Sequence, residues 1–308
     1  MIHSPAELKP GPKKVCLAIG FFDGVHLGHQ QIIRQTVADA ELHEALAVVV
    51  TFDRHPNAVV APERVPALIY SLPQKLRGIA STGADTTLLL HFDEPFSRQT
   101  GEEFVHRLMR EFGHLTSICV GSEFTFGYRR SGNVALLKRL GAEFKFTVHG
   151  LAAVSLDEQV VSSTRIREMI RLGQLDPASQ MLGRPYALCG AVIEGDGLGR
   201  KLGFPTANID VKGLILPPNG VYAVHAHEGG KTRRAVLNIG VRPTIEGAAP
   251  EVRVEAHLLD FKGDLYGKEL ELTFVENLRE EQKFPSLDAL KAQITSDIGH
   301  ATRLFDEA

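Results

Sequence analysis

In the first half of the chain, short unbroken apolar runs alternate with stretches whose apolar residues fall three and four apart. Residues 15–19, 45–52, 86–92, 117–121 and 144–148 have the length and composition of buried strands. Residues 30–46, 101–112 and 133–140 have helical spacing, as in Ile32, Ile33, Thr36, Val37 and Ala40. Strands alternating with helices predict an α/β domain, a doubly wound parallel sheet with helices on both faces. Near residue 185 the period changes to two. Segments 187–194, 221–227, 233–238, 252–259 and 269–275 predict a small antiparallel β-barrel closed by one terminal helix over 287–298. The change coincides with Leu182-Gly183-Arg184-Pro185, so domains are expected at 1–183 and 184–308.

Composition agrees with two cores: 308 residues, 44% hydrophobic, exceed what one core fills. A net charge of -3 supplies no electrostatic ground for nucleic acid or a membrane surface, so any bound phosphate must be met locally. Cys16, Cys119 and Cys189 are odd in number, far apart and each in an apolar stretch. They read as reduced core residues, with neither a zinc cluster nor a disulfide framework. Residues 1–12 carry no apolar signal segment, and no apolar run of about eighteen residues occurs. The expectation is a cytoplasmic enzyme acting on small molecules, with no nucleic-acid or membrane partner.

Two motifs carry chemistry. The first, Gly20-Phe21-Phe22-Asp23-Gly24-Val25-His26-Leu27-Gly28-His29, lies where a strand gives way to a helix. A helix N-terminus offers unpaired N–H groups and the positive end of the dipole, which favours polyphosphate. His26 and His29, three apart, share a face of the first turn, and Gly28 removes a side chain from the approach. A metal pair is the competing reading, but the His-Glu-x-x-His pattern is absent and no further ligand sits at spacing on that helix. Further along, Ser162-Ser163-Thr164-Arg165-Ile166-Arg167 opens a helix that ends at Gly173, with Ser or Thr as N-cap and no capping box.

The second motif is Gly197-Leu198-Gly199-Arg200-Lys201-Leu202-Gly203, followed by Phe204-Pro205-Thr206-Ala207-Asn208. Neither the dinucleotide fingerprint nor a Walker sequence is present. By composition alone such a loop is most often a turn. Its backbone N–H groups, Arg200 and Lys201 are nonetheless suited to phosphates, and Thr206 and Asn208 offer hard oxygen donors to magnesium. On the strand over 252–259, Val252, Val254, Ala256 and Leu258 share one face and Arg253, Glu255 and His257 the other. A solvated face and a catalytic carboxylate both remain open for Glu255.

The segment Gly20 to Gln30 resembles the His-x-Gly-His motif of the nucleotidyltransferase superfamily, in the form carried by the prokaryotic bifunctional riboflavin kinase/FAD synthetase family. Further blocks carry the same resemblance: Thr51-Phe52-Asp53-Arg54-His55-Pro56, Gly121-Ser122-Glu123-Phe124-Thr125-Phe126-Gly127, Asn238 to Thr244, Glu255-Ala256-His257-Leu258, Asp264-Leu265-Tyr266-Gly267 and Leu278 to Phe284. It implies a barrel that phosphorylates riboflavin with Mg2+ and ATP, and a nucleotidyltransferase domain that adenylylates FMN to FAD with release of pyrophosphate. It implies His26 and His29 as catalytic groups of the second step and Glu255 as base of the first. Contacts to ATP are implied for Gly20, Phe22, Asp23, Gly24, Gly28, Ser162, Ser163, Thr164 and Arg167, and for Gly197, Gly199, Arg200, Lys201 and Gly203. Flavin contacts are implied for Phe52, Phe124, Phe126, Asn238, Arg279 and Phe284, and magnesium ligation for Thr206 and Asn208. Glu123 and Asn133 depart from the family's shorter carboxylate or amide and its Asp. They leave a second reading, an enzyme with only the kinase live.

Overall fold

The computed structural model of the chain describes residues 1–8, 14–242 and 251–307. These form two compact units, Met1–Arg165 with Met181–Gly183, and Ile166–Gln180 with Arg184–Ala308.

In the first unit five strands make one sheet: β1 Lys14–Ile19, β2 Leu46–Phe52, β3 Thr86–Leu90, β4 His114–Gly121 and β5 Thr147–Leu151. Their order is β3-β2-β1-β4-β5, and every pairing is parallel. Alternation along β1 shows why both faces are covered. Val15, Leu17 and Ile19 pack with Phe104, Val105 and Leu108 of α3 (Gly101–Phe112) and with Leu137 and Leu140 of α4 (Val134–Phe144). Cys16 and Ala18 face the other way, toward Ala40 and Ile33 of α1 (Leu27–His43) and Ile79 of α2 (Leu72–Ala80). Small residues on that side let α1 lie close. The strand order reverses direction of growth between β1 and β4, and at such a switch point the carboxyl ends of the strands leave a crevice for ligands. The first motif follows β1 into it.

Among the boundaries that differ from the sequence expectation, two have a local cause. The run 144–148 is split: α4 continues to Phe144, Lys145 caps it in the left-handed region at φ 64°, and β5 starts at Thr147. The first helix begins at Leu27, because the His26 side chain serves as its N-cap.

The second unit contains a closed antiparallel barrel of six strands: β6 Ala187–Ile193, β7 Ala207–Ile209, β8 Gly220–Glu228, β9 Lys231–Arg242, β10 Glu251–Leu258 and β11 Glu269–Glu280, in the order β6-β7-β10-β9-β8-β11. Only five strands had been expected; β7 is three residues long, too short for alternation to be visible. Inward residues such as Leu188, Val224, Leu237, Val254, Ala256 and Leu272 fill the barrel. Helix α8, Leu287–Glu307, is longer than expected and lays Ala301 and Phe305 on the outward Val221, Ala223 and Val236. Three further helices belong here or straddle the division, α5 Ser163–Arg171, α6 Leu175–Leu182 and the short α7 Leu198–Leu202.

Candidate functional site

The turn between β1 and α1 is bent into conformations that side chains resist. Phe22 has φ 54°, Gly24 φ 77° and Val25 φ 41°, and a β-branched residue at positive φ is rare. Phe22 and Val25, unlike Gly24, each cost roughly 1–3 kcal/mol in that conformation, which persists only where the surroundings dictate it. Five side chains do so here. The Asp23 carboxylate accepts the N–H groups of Ile69 (3.0 Å) and Tyr70 (3.2 Å), and the Ser163 hydroxyl donates to the Asp23 carbonyl at 3.1 Å. Gln30 donates to the carbonyls of Val25 (2.9 Å) and Leu182 (2.8 Å). Thr51 donates to the Phe21 carbonyl at 3.0 Å, and the buried Lys75 ammonium donates to the same carbonyl at 3.2 Å and to that of Phe52 at 2.8 Å.

The result aims two imidazoles at the end of α1. His26 is buried, its Nδ1 accepts the His29 N–H at 3.4 Å, and the two rings stack with centroids 3.6 Å apart. A Cβ at position 28 would come within 3.2 Å of the His26 ring, which is why glycine stands there. Burial pulls the Lys75 ammonium down to about 8, against the attraction of the Asp23 and Asp53 carboxylates that raises it. Asp53 itself is held below the usual carboxylate range: burial pushes it up, but the Phe92 N–H and the His91 ring outweigh that.

The barrel carries a cavity of about 510 Å³ lined by residues of the second unit, among them Gly197, Gly199, Thr206, Asn208, Asn238, Glu255, Arg279 and Phe284. Register explains the arrangement. Glu255 on β10 pairs with Asn208 on β7 to one side and Asn238 on β9 to the other, so a carboxylate stands between two amides in one row. Its Oε2 accepts the Thr206 hydroxyl at 3.2 Å. Arg279 forms a forked pair with the buried Asp297 of α8, with nitrogen-to-oxygen distances of 2.9 and 3.0 Å, and its guanidinium lies 5.7 Å from the Phe284 ring centre.

Thr206, Asn208 and Glu255 bring a hydroxyl, an amide oxygen and a carboxylate to one wall of the cavity. That hard-oxygen set suits magnesium shared with phosphate oxygens. Among the described residues no cluster of three or more His, Cys, Asp or Glu side chains could hold a metal alone.

The FAD synthetase family matches residues 8–165 and the riboflavin kinase family residues 182–305. Bifunctional riboflavin kinase/FMN adenylyltransferases are similar over almost the whole chain: that of Pseudomonas fluorescens is 38% identical, covering 99% of this chain and 97% of its own. That of Haemophilus influenzae is 37% identical over 94% of each chain, and that of Escherichia coli (strain K12) 36% identical over 99% of this chain and 97% of its own. The chain belongs to the bifunctional riboflavin kinase/FMN adenylyltransferase family. Its fold also matches the crystal structure of a "Macrolide-efflux Protein" from Streptococcus pneumoniae, at TM-score 0.80 and 28% identity, covering 98% of this chain and 97% of that one. No helix among the described residues is long and apolar enough to cross a membrane.

In the adenylyltransferase unit Gly20, Phe22, Asp23, Gly24, His26, Gly28, His29 and Ser163 lie on or against one turn, and Ser162 and Thr164 flank Ser163 at the start of α5. Ser162 caps the helix as expected, its hydroxyl accepting the Arg165 N–H at 3.3 Å. Arg167, on the same helix, is buried and groups with the second unit. Phe124 and Phe126 stack on each other, centroids 5.3 Å apart, and with Phe52 they pack half-buried against the sheet core. Glu123 is exposed, and Asn133 caps α4 by accepting the Leu136 N–H. In the kinase unit Arg200, Lys201 and Gly203 are exposed and do not line the cavity. Pro243 and Thr244 of the matched block lie outside the described residues. Lys75 and Asp297 escaped the sequence reading, and Gln30, Arg253 and His257 were named in it without a role; for Lys75 the signal was a cation four residues before Ile79 on a buried helix face.

Proposed function

We propose that each unit runs one step of flavin cofactor synthesis, with the functional boundary at 1–183 and 184–308. The chain is a transferase with two activities: it phosphorylates riboflavin to FMN with ATP, then transfers AMP from ATP to FMN, giving FAD and pyrophosphate. The observation that carries the kinase reading is Glu255, set between two amides inside the cavity and bonded to Thr206. A carboxylate there accepts the proton of the ribityl 5'-hydroxyl as that oxygen attacks the terminal phosphate of ATP. Asn238, Arg279 and Phe284 line the same space and are proposed for the flavin. Thr206 and Asn208 would hold magnesium, which supplies positive charge to the phosphate oxygens when bound.

In the adenylylation step the nucleophile is the FMN phosphate, so the protein supplies position and charge. His26, His29 and the first turn of α1 would meet the negative charge that builds at the α-phosphate, each well-aimed donor contributing about 3 kcal/mol. Because His26 Nδ1 accepts the His29 N–H, its neutral ring carries the proton on Nε2, where it can donate. Ser162, Ser163 and Thr164, adjoining the turn, are proposed for the phosphates. Three buried free cysteines suit a reducing compartment, and we place the enzyme in the cytoplasm. Incubation of the purified protein with riboflavin, ATP and magnesium, followed by chromatography of the flavins, should yield both FMN and FAD. FMN alone would mean that Glu123 and Asn133 have silenced the second step.

A further inference from the structure

The outer face of β10 presents Arg253, Glu255 and His257 at alternate positions, and each grips the glycine-rich segment that reaches from β6 to β7. Arg253 pairs with Asp196 at 2.7 Å, Glu255 accepts the hydroxyl of Thr206 at 3.2 Å, and His257 Nδ1 meets the Pro205 carbonyl at 2.8 Å. The last contact requires a proton on Nδ1, since a carbonyl only accepts. The segment is therefore held at both ends by one strand. Asp196 and Arg253 both line the cavity, as do Gly197, Leu198 and Gly199, which follow Asp196 directly. Gly195 cannot be replaced without collision, because a Cβ there would fall within 2.1 Å of the Asn208 amide. Asp196 is a half-exposed carboxylate beside a loop whose work is to receive polyphosphate, where an uncompensated negative charge repels the ligand. The Arg253 guanidinium supplies the partner cation that makes its presence compatible with that task.

We propose that the Asp196–Arg253 pair is a latch that positions the glycine-rich loop for the phosphates of ATP in the riboflavin kinase reaction, Arg253 neutralising Asp196 while fixing the loop's first residue to the strand that carries Glu255. Both are positioning residues, acting through the loop backbone. The inference rests on the kinase reading of the barrel. The rival role for the same arginine is direct contact with the nucleotide, in which case Asp196 competes with ATP for it.

The test is steady-state phosphorylation of riboflavin by the full chain and by Asp196→Asn, Arg253→Met and the exchanged pair Asp196→Arg/Arg253→Asp, with riboflavin binding followed by flavin fluorescence. Retained riboflavin binding reports that the barrel of each variant is folded, and FMN adenylylation by the same preparations reports on the other unit. Asp196→Asn, an isosteric change at a half-exposed loop position, tests the latch without touching the barrel core. The latch requires that each single variant raise the KM for ATP about tenfold, with kcat and riboflavin affinity within about twofold of wild type, and that the exchanged pair recover most of the loss. An Asp196→Asn variant whose KM for ATP is unchanged or lower would overturn it in favour of direct contact, and so would loss in both singles without recovery in the exchanged pair. A wild-type protein that makes no FMN from riboflavin and ATP would instead defeat the kinase reading itself.

Discussion

The two units build their sites from opposite materials. In the adenylyltransferase unit the proposed working element is backbone: three residues of one turn at positive φ, a helix N-terminus, and side chains from four other segments that hold the bend. In the kinase unit the backbone of β10 is regular, and the proposed function rests on side chains at alternate positions whose register with β7 and β9 puts Asn208, Glu255 and Asn238 in a row. The first design stores strain and depends on its supports. The second stores nothing and depends on register, so it tolerates changes around the barrel but not at the row.

That contrast predicts where each activity breaks. The largest effect is expected for Glu255→Gln, which keeps the shape of the side chain and its place beside Thr206 but cannot accept the hydroxyl proton. Phosphorylation of riboflavin should fall on the order of a hundred- to ten-thousandfold, with riboflavin still bound. Adenylylation of supplied FMN should not change, because its attacking oxygen is already an anion. An unchanged kinase rate would return Glu255 to a solvated strand face. Next in size, His29→Ala should lower FAD formation from FMN by about a hundredfold or more, the loss of one aimed donor, with FMN formation near wild type. Full FAD synthesis in that variant would make His29 a structural partner of the His26 ring.

The same contrast explains what the sequence disclosed. The strand-to-helix site was legible because glycines and paired histidines in a short window carry the chemistry locally. Its supports were not: Thr51 and Lys75 act across separations of 30 and 54 residues and look like ordinary strand or helix residues, and nothing in the Ser162 to Arg167 motif says that Ser163 bonds to a turn 140 residues away. In the barrel, period-two alternation put Glu255 on a polar face but could not say what that face met. The answer came from β7, a strand of three residues. Arg200 and Lys201 stand apart from that row: a basic pair in a phosphate-type loop invites assignment, and both side chains are exposed outside the cavity lining.

The division between the units sharpens a third expectation. Helical residues 166–180 group with the barrel, and the bonds that tie them there are specific: the Tyr186 N–H donates to the Ser179 hydroxyl at 2.9 Å and the Arg184 N–H to the Ser179 carbonyl at 3.2 Å. Fragments 184–308 and 166–308 should both make FMN and no FAD. The shorter one forfeits two hydrogen bonds of about 1 kcal/mol each and should melt roughly 5–10 °C lower. Equal melting temperatures by circular dichroism would assign residues 166–180 to the other unit.

The smallest effect concerns the support of the strained turn. Lys75 carries a proton below about 8 and loses it above, because burial disfavours the charge more than the Asp23 and Asp53 carboxylates restore it. As an ammonium it has three N–H groups for the carbonyls of Phe21 and Phe52 and the Thr51 hydroxyl; as an amine it has two, and one contact is lost. FMN adenylylation should therefore decline a few-fold as pH rises through about 8, while riboflavin phosphorylation, which uses the barrel, shows no limb there. Stability moves the other way. The unfolded lysine keeps its proton up to its ordinary 10.5, so between about 8 and 10.5 the unfolded state binds more protons and this group's contribution to stability rises with pH. A loss of FAD synthesis near pH 8 without a matching fall in melting temperature is the signature, and Lys75→Arg, charged throughout, should remove the limb. A limb that persists in that variant would place its origin in another group and leave Lys75 as a support of the turn alone.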